Sequence, residues 1–431
     1  MRKIIKWLTF GLVSVLSAGM FFGCVSTSNG NDSNSDSEQS STVPPDSGPI
    51  VTEFTPTFRF IVASDMHVSA SNADSQMTKI RFRDMFMQMN AYADGQSYDR
   101  LDAVLLAGDI TDGGTNADLA TAKQIIDANI AEETELVITM GNHDFWGNKS
   151  DPTAMIEQFE HKFGASNSHK VIGGYHFITL CADKSRAGDP GWDYSTTVVE
   201  YARAELEKAY AEVGDDKPIF VMQHVGNTNT CAGTCEHTNG NAVSTLDEIF
   251  SQYSNVVNFA GHSHFACNDE CSIHQKNYTS IATGGLYYAT RTTLNGSSID
   301  MENRYEMAQN YVVEMDANNN MRVRCWDILQ QKFVGETWTV ESWDKEDFVY
   351  TEDRFSDGDL FFADGATITT KETSAYGATI SFDPVPQESL TARIYKVVVK
   401  DGNGKTIAAK YYTVKKPSNV KKMKAIGRYA Y

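Results

Sequence analysis

Short apolar runs alternate with longer segments of helical periodicity through the middle of the chain. Runs of strand length cover 58–63, 102–107, 135–140, 175–181, 218–223 and 256–260. Segments with apolar side chains at helical spacing cover 77–92, 117–130, 195–213 and 244–253. Apolar strands separated by helices are typical of an α/β fold, in which helices cover the sheets.

The N-terminal segment has the pattern of an export signal. Three basic residues within the first six precede an apolar run over 7–22, and Gly23-Cys24 follows. This arrangement resembles the lipobox of bacterial lipoproteins, so we predict a signal peptide over 1–23 and a lipid anchor at Cys24. The alternatives are a cleaved secretory signal without lipid, and an uncleaved anchor. Either way we expect an exported protein, at the cell surface or in the periplasm.

Residues 24–50 differ in composition from the rest of the chain. They are rich in Ser, Asn and Asp and contain no aromatic residue. Such a segment buries too little apolar surface to offset the entropy of ordering. We predict a tether between the membrane and the folded part of the protein.

Strands dominate beyond Tyr278, and we place 51–340 in one α/β domain and 347–431 in a small all-β domain. The predicted C-terminal strands are 366–369, 378–382, 394–399 and 406–412, with a hairpin signal at Asp401-Gly402-Asn403-Gly404. Their alternation and spacing resemble a fibronectin-III or immunoglobulin-like sandwich. Residues 396–431 carry ten Lys or Arg against one Asp. Contact with an acidic cell-envelope polymer, contact with the protein's own acidic body and a solvated face are all open.

The overall charge limits the kinds of molecule that the protein is expected to bind. The chain has 431 residues, 41% of them hydrophobic, and a formal net charge of −19. The apolar content is that of a globular protein. An acidic protein is not expected to bind a nucleic-acid polymer, because phosphate backbones bind basic surfaces. Small phosphorylated substrates stay open, since a bound metal ion changes the local field.

Carboxylate, amide and imidazole side chains directly follow five of the predicted strands. They occur in Asp65-Met66-His67, Gly108-Asp109, Gly141-Asn142-His143-Asp144, Gln223-His224 and Gly261-His262-Ser263-His264. In α/β folds the loops at the carboxyl ends of strands build the site. These oxygen and nitrogen donors suit Mn, Fe or Zn. Seven candidate ligands exceed the four that one tetrahedral ion takes, so two ions are implied.

These blocks, in this order, resemble the calcineurin-like metallophosphoesterase family over about residues 57–285. The resemblance implies a four-layer α/β/β/α sandwich with a dinuclear centre. It implies that Asp109 bridges two ions, with Asp65, His67 and His264 on one and Asn142, His224 and His262 on the other. It also implies that His143 faces the phosphate, as general acid or hydrogen-bond donor. We expect Asp144 to orient the His143 imidazole; a loop cap is the alternative.

The sequence departs from related patterns at two positions. Purple acid phosphatases, which resemble this family, carry Tyr three residues after the bridging Asp. Asp112 stands there in this chain, so we expect no tyrosinate–iron colour. Gln223 precedes His224, where many members have a second His.

The function implied is an exported phosphoesterase that hydrolyses small phosphate mono- or diesters by attack of a metal-bridging hydroxide. The alternative is a non-catalytic cell-surface binding protein on the same scaffold. The complete set of metal-ligand positions favours the enzyme. Candidates for lining a pocket for an organic leaving group, with core or rim packing as the alternative, are Phe145, Trp146, Trp192, Tyr287 and Tyr288.

Four cysteines lie in two close pairs near His224 and His264. In exported loops, Cys231, Cys235, Cys267 and Cys271 favour disulfides, and we prefer links between the two loops. A zinc site with His237 and free thiols are the alternatives. Cys181 and Cys325 lie in predicted β segments, and we expect them to be buried thiols.

Overall fold

A computed structural model gives the architecture of the chain. It describes residues 19–20, 54–234, 242–292, 298–300, 304–352, 362, 364–374, 377–383, 391–392, 394–413 and 423–428. The predicted signal peptide, Cys24 and the tether lie outside these residues, apart from Gly19–Met20. The chain divides into two compact units, and Phe54–Glu352 is one of them. None of the described helices combines the length and apolar content needed to cross a membrane.

Two six-stranded sheets form the framework of the Phe54–Glu352 unit. The strands of the first sheet lie in the order Lys332–Val340, Met321–Asp327, Gln309–Asp316, Pro56–Ala63, Ala103–Ala107 and Glu135–Thr139. The last three strands are mutually parallel, and the first three join them in antiparallel pairing. The predicted strands at 58–63, 102–107 and 135–140 are therefore neighbours, and their carboxyl ends meet at one edge.

The second sheet has four parallel strands inside two antiparallel edge strands. Their order is Ile273–Gln275, Thr279–Ala282, Val256–Ala260, Ile219–Gln223, Tyr175–Leu180 and Ser168–Ile172. The parallel pairs run from Thr279–Ala282 to Tyr175–Leu180. The carboxyl ends of Ile219–Gln223 and Val256–Ala260 are thus adjacent, which brings the blocks that follow them together.

The two sheets pack face to face, and helices cover their outer faces. Phe60 lies between the sheets, with its ring centroid 5.4 Å from that of Phe177 and 4.9 Å from that of Phe220. Helices Ser75–Asp94, Asn116–Asn129 and Pro152–Phe163 share a core with the first sheet. Helices Thr196–Val213 and Asp247–Phe250 pack on the second. This is the predicted α/β architecture with mixed sheets.

Several elements differ from the sequence prediction. The helix Pro152–Phe163 was not predicted, although Asp151 caps it by accepting a hydrogen bond from the backbone N–H of Ala154 and Gly164 follows its end. The predicted helix 244–253 is one turn only, Asp247–Phe250. A hairpin of Lys184–Arg186 and Asp189–Asp193 is also new. The one-turn helix and the hairpin have too few residues for a clear period, whereas the 12-residue helix Pro152–Phe163 is long enough to show one, with Met155 and Phe159 on its buried face.

The unit of the two sheets continues past residue 340. Trp343 is buried in the core between the sheets, and the hydroxyl of Tyr350 accepts a hydrogen bond of 2.8 Å from the backbone N–H of Thr339. These contacts explain why the compact unit ends at Glu352.

The described strands of the C-terminal region form small antiparallel sheets. Ile368–Ser374, Gly377–Phe382 and Met423–Arg428 make one, and Ile394–Lys400 pairs with Thr406–Thr413. The predicted hairpin is therefore confirmed. The carboxylate of Asp401 accepts the backbone N–H groups of Asn403 and Lys405 at its turn. A fibronectin-III or immunoglobulin-like arrangement stays a prediction.

Candidate metal centre

The predicted ligands have an unusual backbone conformation. Asp65, His67, Asp109, His262 and His264 all have positive φ, between 47° and 67°. They are five of the nine non-glycine residues with positive φ in the described part of the chain. A positive φ costs conformational free energy in a residue with a Cβ atom, so this conformation persists only where the surrounding structure enforces it. Each strand therefore ends in a sharp turn that redirects the following side chain.

Two glycines allow these turns to approach one another. A Cβ atom at Gly141 would lie 2.2 Å from Oδ1 of Asp109 and 2.8 Å from Nε2 of His224. Gly108 has φ of +82°, and a Cβ atom there would lie 2.5 Å from Nδ1 of His224. Only glycine fits at these positions, which explains its place beside the candidate ligands.

One group of donors collects around Asp65. Its Oδ1 atom lies 3.0 Å from Nε2 of His264. Nε2 of His67 is 3.3 Å from the same His264 nitrogen and 3.6 Å from Oδ2 of Asp109. One donor atom from each of these four residues lies within 4.8 Å of the others, a spacing that suits a single ion.

A second group contains Asp109, His224 and His262. Oδ2 of Asp109 is 3.2 Å from Nε2 of His224. Asn142, which lies between Gly141 and His143 in the sequence, is buried. The backbone N–H of His143 donates to Oδ1 of Asp109. Asp109 therefore belongs to both groups, as the resemblance implied for a bridging carboxylate.

Several donor atoms at this centre lack a hydrogen-bond partner. Besides Oδ1 of Asp65 and Nδ1 of His67, they include Oδ1 of Asn142 and the Nε2 atoms of His224 and His262, all buried. Buried polar atoms are normally hydrogen-bonded, so the last three atoms together need an explanation. Bound cations supply one, because each of these three atoms has a lone pair to offer.

Backbone carbonyls select which histidine nitrogen faces the centre. Nδ1 of His224 donates to the carbonyl of Ala107 at 2.8 Å, and Nδ1 of His264 donates to that of Tyr288 at 3.0 Å. A carbonyl oxygen only accepts, so Nδ1 carries the proton and Nε2 keeps its lone pair for a ligand.

Comparison with known families agrees with this geometry. The model of the calcineurin-like phosphoesterase family matches residues 58–266. The chain carries a calcineurin-like phosphoesterase domain. Among solved structures, a purple acid phosphatase, PPD1, from yellow lupin (Lupinus luteus) seeds is similar, with 11% identity and a TM-score of 0.40. The similarity covers 65% of this chain and 53% of that one, so this chain spans about half its length. No curated protein matches.

The buried carboxylates and histidines of the phosphoesterase domain shift one another's pKa values. Burial alone would raise the pKa of Asp109, but the charges of His224, His143 and His67 outweigh it and hold that pKa well below its ordinary value. Burial lowers the pKa of His262 to about 3, and the neighbouring His224 adds to the shift. The carboxylates are therefore anionic and His262 is neutral, which are the forms that bind cations. Burial alone would lower the pKa of His224, but the charge of Asp109 outweighs burial and raises that pKa to about 9. An ion that binds Nε2 of His224 therefore displaces a proton.

His143 stands at the open side of the domain's centre. Its side chain is 18% exposed, and Nδ1 donates to the backbone carbonyl of Asp112 at 2.8 Å. Its ring stacks on the indole of Trp146, with 3.6 Å between the ring centroids. These two contacts fix the imidazole and leave Nε2 as its second functional atom.

Asp144 does not have the predicted orienting role. Its carboxylate accepts hydrogen bonds from the backbone N–H groups of Ile110, Thr111 and Gly141 and from the Thr111 hydroxyl. No hydrogen bond joins it to the imidazole of His143 within the described part of the domain. The loop-cap alternative is the one that the structure supports, because all four donors belong to the loops that carry Asp109 and Asn142.

Asp112 has a role that sequence reasoning missed. Its carboxylate oxygen Oδ1 lies 3.4 Å from Nδ1 of His67, and Asn72 donates to Oδ2 at 2.8 Å. Its backbone carbonyl holds His143. The available signal was its position, three residues after Asp109, where purple acid phosphatases carry Tyr. The other departure, Gln223, is buried, and neither amide atom of its side chain has a hydrogen-bond partner.

The predicted cysteine chemistry is partly wrong. Cys231 and Cys267 are buried free thiols, so no disulfide uses them. The Cys267 thiol donates to the carbonyl of Thr283 at 3.0 Å. Cys181 and Cys325 are buried thiols, as predicted. Cys235 and His237 lie outside the described residues, and a link from Cys235 to Cys271 stays a prediction.

The predicted aromatic residues fall into two classes. Phe145 is fully buried in the core of the first sheet, and Tyr287 is 9% exposed with its hydroxyl donating to Asp74. Phe145 is therefore a packing residue, which was the alternative, whereas the ring of Tyr287 also lies beside His67, with 5.4 Å between the centroids. Trp146, Trp192 and Tyr288 each contact a histidine of the centre.

Proposed function

We propose that this protein is an exported metal-dependent phosphoesterase that hydrolyses small phosphate mono- or diesters at a two-ion centre. The observation that carries the proposal is the position of Asp109. Its Oδ2 atom lies 3.2 Å from Nε2 of His224 and 3.6 Å from Nε2 of His67. One carboxylate between two sets of imidazoles is the arrangement that a pair of cations needs.

The donor set suits Mn, Fe or Zn. Asp65, His67 and His264 would hold one ion, Asn142, His224 and His262 the other, and Asp109 both. Carboxylate, amide and imidazole donors together match ions of intermediate softness. Two such ions acidify a water molecule and neutralise charge on phosphoryl oxygens.

His143 is the candidate that delivers a proton to the leaving oxygen. Its Nδ1 atom is engaged with the Asp112 carbonyl, so only Nε2 can exchange a proton with a substrate. Burial lowers the pKa of the His143 imidazole, although the charge of Asp109 opposes that shift. General acid catalysis needs the imidazolium form, in which Nε2 also carries a proton, and the lowered pKa makes that form more abundant as the pH falls.

The competing function is a surface binding protein that keeps the scaffold without turnover. A substrate panel on the purified full chain, loaded with Mn²⁺, separates the two. We expect hydrolysis of p-nitrophenyl phosphate or bis-p-nitrophenyl phosphate, and the ratio of the two rates assigns the ester class. Two bound metal equivalents without hydrolysis of either ester would favour the binding protein.

Lipid anchoring at Cys24 is part of the same proposal and rests on the pattern of residues 1–24. Labelling of cells with a radioactive fatty acid tests it. We expect label on the wild-type chain and none on Cys24→Ala. Label on neither chain would leave a cleaved secretory signal or an uncleaved anchor.

A further inference from the structure

The candidate centre opens towards solvent on one side. The side chains of Asp65 and His224 are 0% exposed and that of Asp109 is 2% exposed. Exposure rises to 18% at His143, and Trp146 is 37% exposed. A substrate therefore reaches the centre past His143. The residues beside His143 then contact the leaving group of the substrate.

Aromatic rings lie against three histidines around the centre. Trp146 stacks on His143 at 3.6 Å between centroids. Trp192 meets His262 edge to face at 4.5 Å. Tyr288 stacks on His264 at 3.9 Å. The described residues around the centre thus present aromatic rings, and one of these rings, Tyr288, has the guanidinium of Arg304 5.1 Å from its centroid.

The two indoles are held relative to each other by one ion pair. Nζ of Lys149 lies 4.1 Å from the ring centroid of Trp146 and 2.7 Å from Oδ1 of Asp189. The second oxygen of Asp189 accepts a hydrogen bond of 3.1 Å from the indole N–H of Trp192. Lys149 and Asp189 neutralise one another, so this wall carries no net charge. The ring of His143 and the ammonium of Lys149 both lie against the indole of Trp146, so Trp146 offers a substrate mainly its edge.

Close backbone packing fixes the hairpin that carries Trp192. Gly191 has φ of +84°, and a Cβ atom there would lie 2.6 Å from Cα of Asn142. The hairpin of Lys184–Arg186 and Asp189–Asp193 therefore packs directly on the 3₁₀ helix Asn142–Asn148, which carries His143 and Trp146.

We propose that Trp146 and Trp192 bind the alcohol part of the substrate, and that this part is a planar, uncharged aromatic group. The inference rests on the proposed function and names its substrate class. A planar aromatic group bonded to the leaving oxygen would meet the face or the edge of an indole. An alkyl group has no ring with which to make that contact. Stacking on an aromatic side chain changes binding by roughly tenfold or more.

Trp192 gives the sharper test, because it meets the proposed ligand His262 only edge to face, whereas Trp146 stacks on the proposed proton donor His143. Elemental analysis of each variant checks that the metal content is unchanged. The assay compares phenyl phosphate esters with esters of a fluorinated alkyl alcohol of similar acidity, on the Mn²⁺-loaded full chain. We expect Trp192→Leu to lower kcat/KM roughly tenfold for the phenyl ester, through KM, and to leave the alkyl ester within about twofold. Trp192→Phe restores most of the loss. Trp326→Phe, which alters an indole that packs on Tyr92 and Phe333, is the matched control.

A binding measurement keeps the inference separate from turnover. Calorimetry compares phenylphosphonate with methylphosphonate, neither of which is hydrolysed at a P–O ester bond. We expect the phenyl compound to bind roughly tenfold more tightly to wild type, and the difference to disappear in Trp192→Leu. The aromatic assignment is overturned if phenylphosphonate and methylphosphonate bind equally to wild type. It is also overturned if Trp192→Leu lowers kcat/KM equally for the phenyl and the alkyl ester. Absence of hydrolysis of any ester with this binding difference intact would overturn the proposed function alone.

Discussion

The carboxylate of Asp144 accepts hydrogen bonds from both the backbone N–H and the hydroxyl of Thr111, at 2.8 and 2.7 Å. It also accepts from the N–H of Gly141 at 2.9 Å. Asp144 thus ties the loop after Ala103–Ala107 to the loop after Glu135–Thr139. These loops carry Asp109 and Asn142, so the tie fixes two candidate ligands relative to each other.

Asp144→Ala is therefore expected to reduce stability. The substitution leaves several buried N–H groups without an acceptor, and we expect the free energy of unfolding to fall by about 2–4 kcal/mol. Urea unfolding monitored by circular dichroism measures it. A variant with unchanged stability, but with activity lost mainly on poor leaving groups, would return Asp144 to the orienting role.

Asp109→Asn is expected to lose activity and at least one metal ion. A neutral amide is a poor bridge between two dications, and Asp109 is the residue shared by both donor groups. Elemental analysis of the purified variant counts the ions. Two full equivalents in Asp109→Asn would contradict the assignment of the bridge.

His143→Ala is expected to keep its metal and lose turnover. The side chain binds no ion in the proposed arrangement, and a positioned acid contributes roughly 10²–10⁴-fold to the rate. The loss should shrink for esters with very good leaving groups, which need no proton. An unchanged rate on a poor leaving group would remove His143 from the mechanism.

The buried carboxylate of Glu314 should make stability fall at acid pH. Glu314 pairs with Arg59, Arg322 and Arg324 at 2.7–2.9 Å. Burial alone would raise its pKa, but the charges of Arg324 and Arg322 outweigh burial and hold the pKa below its ordinary value. A carboxylate with a lowered pKa stabilises the fold above its unfolded pKa, and that contribution is lost as pH falls through the folded pKa.

Glu314→Gln tests this ion cluster. Removing one partner of a buried ion pair costs about 3–5 kcal/mol. Urea unfolding of metal-free protein at neutral and acid pH measures the difference between variant and wild type. We expect a large difference at pH 7 that shrinks below about pH 4. A difference that stays constant with pH would show that Glu314 contributes by packing alone.

Local sequence determined the elements and the chemistry of the centre. Apolar runs of strand length predicted six strands, from Pro56–Ala63 to Val256–Ala260, because burial on both faces leaves a strand with few polar residues. The inner strands Thr279–Ala282, Gln309–Asp316 and Met321–Asp327 were not predicted individually. The polar blocks at strand ends predicted which donors gather, because parallel strands bring their carboxyl ends to one edge. Gly108 and Gly141 marked the sharp turns between them.

Tertiary structure alone decided the contacts between distant segments. Asp144 is adjacent to His143 in sequence, yet its carboxylate turns to Thr111, because the loops after two neighbouring strands meet there. Trp192 reaches His262 only because a hairpin packs on the helix that carries His143. Cys231 and Cys267 are buried thiols with separate partners, since the Ser280 hydroxyl donates to the sulfur of Cys231 and the thiol of Cys267 donates to the carbonyl of Thr283. Such contacts depend on how the elements pack against one another, which the local sequence pattern does not specify.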